Sequence, residues 1–149
     1  METGILRGGA IIGPTGIALV LSFACFGTKA EDRQAAIRAA TSAAPQWLGL
    51  VDDRKYDESW DAASSYLQNA LSKEQFAQKL AAARNPLGKV VTRDLKSAQY
   101  ATSLPGAPDG QYVVIRYASS FENKKSAIET VTPKLDEDGK WRVSGYYIK

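Results

Sequence analysis

The sequence predicts a single α+β domain, with N-terminal helices packed on a curved four-stranded antiparallel sheet, carried behind a targeting segment. Three observations support this. The chain has 149 residues, with 44% apolar and 23% charged, which suits one globular core. After residue 30 the first half repeats apolar residues at three- and four-residue steps. The second half consists of short β-branched and aromatic runs separated by Gly-, Pro- and Asp-rich turns.

Residues 1–30 have the composition of a cleavable secretory signal. Arg7 gives a weakly positive start, and residues 10–26, AIIGPTGIALVLSFACF, are uncharged. Thr28 and Ala30 put small residues three and one places before Glu31, so cleavage is expected after Ala30. The uninterrupted apolar part is shorter than the ~20 residues a spanning helix requires, and Pro14 and Gly16 weaken it further. Lipidation at Cys25 is a lesser alternative. Leu21 lies one place too far from Cys25 for a lipobox, and Phe23 stands where a small residue belongs. The expected location is periplasmic or secreted, with the membrane involved only through the targeting segment.

The mature elements follow in order. A first helix spans about Asp32 to Val51, with Ala36, Ala40, Ala43, Trp47 and Val51 on one face. Pro45 should kink or break it. Asp57 is the expected cap of a second helix, lined by Trp60, Ala63, Ser64, Leu67 and Leu71. Ser72-Lys73-Glu74-Gln75 is a capping box opening a third, with Phe76, Leu80 and Ala83 inward and Asn85-Pro86-Leu87-Gly88 as its stop. Strands are predicted over Val90–Ser103, Tyr112–Phe121, Ser126 to about Leu135, and Trp141–Ile148. Their connections are the Leu104-to-Gly110 loop, Glu122-Asn123-Lys124, and Asp136-Glu137-Asp138-Gly139. A meander is the simplest topology.

Absent residue types narrow the chemistry. The chain has no His, and its one Cys falls in the targeting segment. A Ser-His-Asp triad, a Cys–His nucleophile, a Cys/His zinc site and an internal disulfide are therefore excluded. No Gly-x-Ser-x-Gly elbow occurs, and Asp52, Asp53, Asp57 and Asp61 lack calcium-loop spacing. No cofactor or metal is expected. The net charge of +3 falls to +2 once residues 1–30 are removed, and basic residues are interleaved with acidic ones. A nucleic-acid partner would call for a concentrated basic stripe, so none is expected.

Two sets of residues remain as site candidates. Trp60, Trp141, Tyr146 and Arg93 could form a binding surface, although core packing is the favoured role for the aromatics. Strict alternation puts Trp141, Val143, Gly145 and Tyr147 on one face of the last strand, and Arg142, Ser144, Tyr146 and Ile148 on the other. Glu129 lies mid-strand with Ala127 and Val131 on its face. Buried there it needs a cation, which Arg93 or Arg116 could supply, and with Tyr146 it could imitate a carboxylate base beside a phenol donor. A solvated or ion-paired structural Glu129 is the favoured role.

The segments Trp47-Leu48, Val51-Asp52, Tyr56 and Ser59-Trp60-Asp61-Ala62-Ala63-Ser64 resemble the helical signature of the domain-of-unknown-function 4019 family (DUF4019). So do Pro86-Leu87-Gly88, Arg93, Leu104-Pro105-Gly106-Ala107-Pro108, Glu129-Thr130-Val131 and the closing Trp141-Arg142-Val143-Ser144-Gly145-Tyr146-Tyr147. The resemblance covers roughly Ala35 to Ile148. Pro45 departs from it, which leaves the shape of the first helix open. It implies exported bacterial proteins of α+β fold and no established activity. The element order is similar to cystatin-like and nuclear-transport-factor-2-like cones, by fold analogy alone. The expected function is a non-enzymatic periplasmic binding or accessory domain. Its partner would be a ligand, an envelope protein or a second copy of the chain. The alternative is a cofactor-free isomerase or hydrolase using Glu129 in a cone-shaped pocket.

Overall fold

The computed structural model describes residues 28–149; Cys25 and most of the segment expected to be a secretory signal lie outside the described residues. Four helices precede four strands: α1 (Lys29–Asp52), α2 (Tyr56–Asp61), α3 (Ser65–Ala70), α4 (Lys73–Arg84), β1 (Val90–Ala101), β2 (Tyr112–Phe121), β3 (Lys124–Leu135) and β4 (Trp141–Ile148). The strands form an open antiparallel meander in the order β1-β2-β3-β4, so the α+β class is as expected. Among the described residues no helix is long and apolar enough to cross a membrane.

α1 starts on a capping box: the Thr28 hydroxyl accepts from Glu31 N–H, and the Glu31 carboxylate accepts from Thr28 N–H. The processing point expected after Ala30 therefore falls inside its first turn. The break expected at Pro45 does not occur, and α1 is a continuous α-helix through it. Pro45 faces solvent, while Ala40, Ala44, Trp47, Leu48 and Val51 are buried on the opposite side. Their burial, at about 25 cal/mol per Å² of apolar surface, offsets the hydrogen bond that proline cannot donate.

The single second helix expected from Asp57 onward is instead two short ones. Ser64, expected on its packed face, caps α3 by accepting from Leu67 N–H at 3.3 Å, and its own N–H donates to the Val143 carbonyl at 2.9 Å. This tie to β4 interrupts the helix. α4 opens on the expected capping box, Ser72 with Gln75, and runs into one 3₁₀ turn over Asn85–Leu87. Gly88 then takes φ +74°, where a Cβ would come within 2.7 Å of Glu122 Oε2; that carboxylate accepts from Lys89 N–H.

The helices cover one sheet face. The core gathers Trp47, Leu48 and Val51 of α1, Leu67 of α3, Phe76 and Leu80 of α4, and Val113, Ile115, Val131 and Val143 from the sheet. Trp47 is anchored twice, by its Nε1–H donating to the Ser59 carbonyl at 2.8 Å and by its ring 5.6 Å from that of Tyr146. β2 and β4 have the expected limits; β1 stops two residues short of Ser103, and β3 starts two residues before Ser126. Strict alternation fails in β4. The register slips between Thr132 and Pro133, which pair with Gly145 and Val143, leaving Ser144 as a bulge. Trp141, Val143 and Tyr146 consequently all pack toward the helices, and Tyr147 points away with 60% exposure.

Candidate functional site

The strands bring three of the candidate residues together. Glu129 on β3 faces the helices between Ala127 and Val131; Arg93 on β1 pairs in register with Ser119 on β2, which pairs with Ala127. The bulge in β4 turns Tyr146 to the same side. Two residues end helices above them, Asp52 closing α1 and Arg84 closing α4.

These side chains form one closed network. Glu129 has no exposed surface. Its Oε2 accepts from Arg93 Nε at 2.7 Å and from the Ser119 hydroxyl at 2.5 Å. Its Oε1 accepts from Arg93 Nη2 at 3.1 Å and from the Tyr146 hydroxyl at 2.7 Å, with Arg84 Nη1 at 3.6 Å. Asp52 receives Arg93 through two bonds, at 2.7 and 2.9 Å, and Arg84 Nη2 at 2.8 Å. Arg84 also donates to the Tyr146 oxygen at 3.3 Å and lies over the Phe121 ring, 4.8 Å from its centroid. Two cations and two carboxylates cancel, so the cluster carries no net charge.

The electrostatics follow from this pairing. Burial by itself would raise the pKa of Glu129. The hydrogen bonds from Arg93, Ser119 and Tyr146 outweigh it and hold the carboxyl below its usual range. Asp52 is likewise pushed up by burial and held down by Arg93 and Arg84. Burial and the neighbouring Glu129 charge push the Tyr146 phenol well above its ordinary value. A general base working near neutral pH has its pKa raised toward 7, the opposite direction. A carboxylate offers about four acceptor sites, and Glu129 uses four within the protein. It lines none of the five principal clefts of the surface.

The other candidates lie apart. Arg116 is exposed, opposite Thr130 on the far face of the sheet. Trp60 donates from Nε1 to the Leu71 carbonyl at 2.9 Å, with Lys73 5.3 Å from its ring centroid. Trp141 borders a depression of about 250 Å³ with Ala43, Gln46 and Leu50. Asp61 pairs with Lys73 at 2.6 Å. Among the described residues no group of three or more His, Cys, Asp or Glu side chains could hold a metal ion.

Tyr146 also borders an opening. An apolar cleft of about 280 Å³ runs between α3, α4 and β4, lined chiefly by Leu67, Leu71, Phe76, Leu80, Ala83, Gly145 and Tyr146. Lys79 and Tyr66 stand among its lining residues, and Lys79 is the one charged member. Of the four residues proposed to bind, Tyr146 alone reaches this cleft. Asp52, Arg84, Ser119 and the cleft itself escaped sequence reading. Arg84 did leave a trace, because it continues the Phe76–Leu80 spacing and so is a charge on an apolar stripe.

A family model described as "Protein of unknown function (DUF4019)" matches residues 43–146, and the chain belongs to that family. No curated protein and no solved structure matches it.

Proposed function

We propose that this chain is an exported, periplasmic binding domain whose ligand or partner occupies the cleft between α3, α4 and β4. The observation that carries this reading is the contrast between a charged interior whose carboxylates are already engaged by Arg93, Arg84, Ser119 and Tyr146, with Arg84 Nε left unpaired inside it, and an apolar cleft left open beside it. Ligand sites are concave, mostly apolar and edged by a few polar groups, and the cleft has that composition. An acid–base enzyme centred on Glu129 would need that carboxylate to be free for substrate, and Arg93, Ser119 and Tyr146 already occupy it.

The test uses the anionic apolar dye anilinonaphthalene sulfonate (ANS) with the full chain, processed as the cell leaves it. Dye fluorescence should rise on binding and be lost in Ala83→Trp, which fills the cleft, at unchanged melting temperature. Equal binding by that variant would move the site elsewhere. Export is read separately from the intact mass of envelope material. A chain beginning at Glu31 is expected, whereas an acylated start at Cys25 would make it a lipoprotein.

A further inference from the structure

We infer that the occupant of this cleft is an extended, acidic peptide segment that adds as a fifth strand to the free edge of β4; this rests on the binding reading above. The first support is the backbone of β4. Ile128 and Lys149 exchange both hydrogen bonds, at 2.9 and 3.2 Å. Antiparallel ladders alternate hydrogen-bonded and non-bonded pairs, so Thr130/Tyr147 and Thr132/Gly145 are bonded pairs. The N–H and C=O groups of Tyr146 and Ile148 therefore point away from β3, toward the edge. On the other side of the bulge the same outward position belongs to Val143, and there the Ser64 N–H takes its carbonyl at 2.9 Å. The chain thus covers its own edge at Val143, and among the described residues no hydrogen-bond partner meets Tyr146 or Ile148 on that edge. Unpaired strand edges are where extended peptides add, through main-chain bonds.

The second support is the lining. Beyond Ala83 the cleft meets a second depression of about 220 Å³, bordered by Ala83, Leu87, Lys124, Ile148 and Lys149. The two share Ala83 and follow α4 and β4 side by side from Ser144 to Lys149. Their charged lining side chains are Lys79, Lys124 and Lys149; among the described residues no Asp or Glu side chain borders either. An added strand turns alternate side chains to one face. Apolar side chains would enter beside Phe76 and Leu80, and carboxylates would meet the lysines, which favours an acidic segment over a basic one.

The test is a positional-scanning library of acetylated hexapeptides, screened against the full processed chain. Selection of apolar residues at alternate positions, with Asp or Glu between them, is expected. The best peptide should shift the amide resonances of Tyr146 and Ile148 and lose at least tenfold in affinity when alternate amides are N-methylated. The double variant Lys79→Glu with Lys124→Glu should also cost about tenfold at unchanged melting temperature. Selection of basic peptides, or affinity indifferent to N-methylation, would overturn the proposal. If no peptide binds while ANS or decanoate still does, the cleft takes a small apolar anion; the strand-addition proposal fails and the binding reading stands. If nothing binds, both fail.

Discussion

The two sides of Tyr146 make the most instructive comparison in this molecule. Its hydroxyl belongs to the cluster of Asp52, Arg84, Arg93, Ser119 and Glu129, where the charges balance and Arg84 Nε is left without a hydrogen-bond partner. Its other side borders an open apolar cleft, on a strand edge whose backbone groups project outward. The cluster looks chemically richer, with four ionised groups inside the core. Yet its carboxylates are already engaged and its one unpaired donor, Arg84 Nε, is buried, whereas the plainer cleft has unmet apolar surface and unmet backbone polarity. Charge density alone is a poor guide to where a protein acts; unfilled bonding capacity is a better one.

That contrast can be broken most severely at Glu129. Glu129→Ala should cost about 3–5 kcal/mol of stability, because Arg93 and Arg84 would stay buried with half their counter-charge removed. Urea unfolding measures it, and a loss under 1 kcal/mol would show that the cluster does not hold the fold. Acid should act on the same groups. Both carboxyls have folded-state pKa values below their unfolded ones, so the stability they lend is complete above about pH 4–5. It should decline as pH falls through their lowered values. Melting temperature followed from pH 7 to 2 should drop in wild type and more shallowly in Glu129→Gln. A profile unchanged by that substitution would remove Glu129 from the acid response.

Smaller effects sharpen the other side. Ser64→Ala deletes the cap of α3, which closes one wall of the cleft, and should cost about 1 kcal/mol in the same urea assay. Tyr147→Ser, on the uncovered face of the sheet, should change stability by no more than about 0.5 kcal/mol. A larger loss there would mean that this face is covered after all.

Much of the frame was legible in the chain. The strand from Tyr112 to Phe121 announces itself by β-branched and aromatic density, and the capping box at Ser72 by its spacing. The union of Glu129 with Arg93 and Tyr146 could be anticipated because a buried carboxylate must find a cation and donors. What could not be read depended on distant partners. The bulge at Ser144 reverses which residues of β4 face inward, and a strictly alternating pattern holds no sign of it. Ser64 interrupts a good helical pattern because Val143 offers it a carbonyl, a contact 79 residues away in sequence. Pro45 was misleading in the opposite sense: local propensity favours a break, and tertiary burial of Trp47 and Val51 overrides it. Asp52 ends a helix where a negative charge is unfavourable, and the two arginines that compensate lie on other elements.

The claim that the cluster holds the fold while the cleft binds is tested most directly by an amide NMR titration with ANS. Wild type, Glu129→Gln and Ala83→Trp would be compared, each melted in parallel. The account predicts that Glu129→Gln loses stability yet keeps its affinity within about twofold, with shifts at Phe76, Leu80 and Tyr146, while Ala83→Trp keeps stability and loses binding. Loss of binding in a Glu129→Gln protein that melts like wild type, with shifts centred on Ser119 and Ala127, would contradict it and return Glu129 to the centre of function.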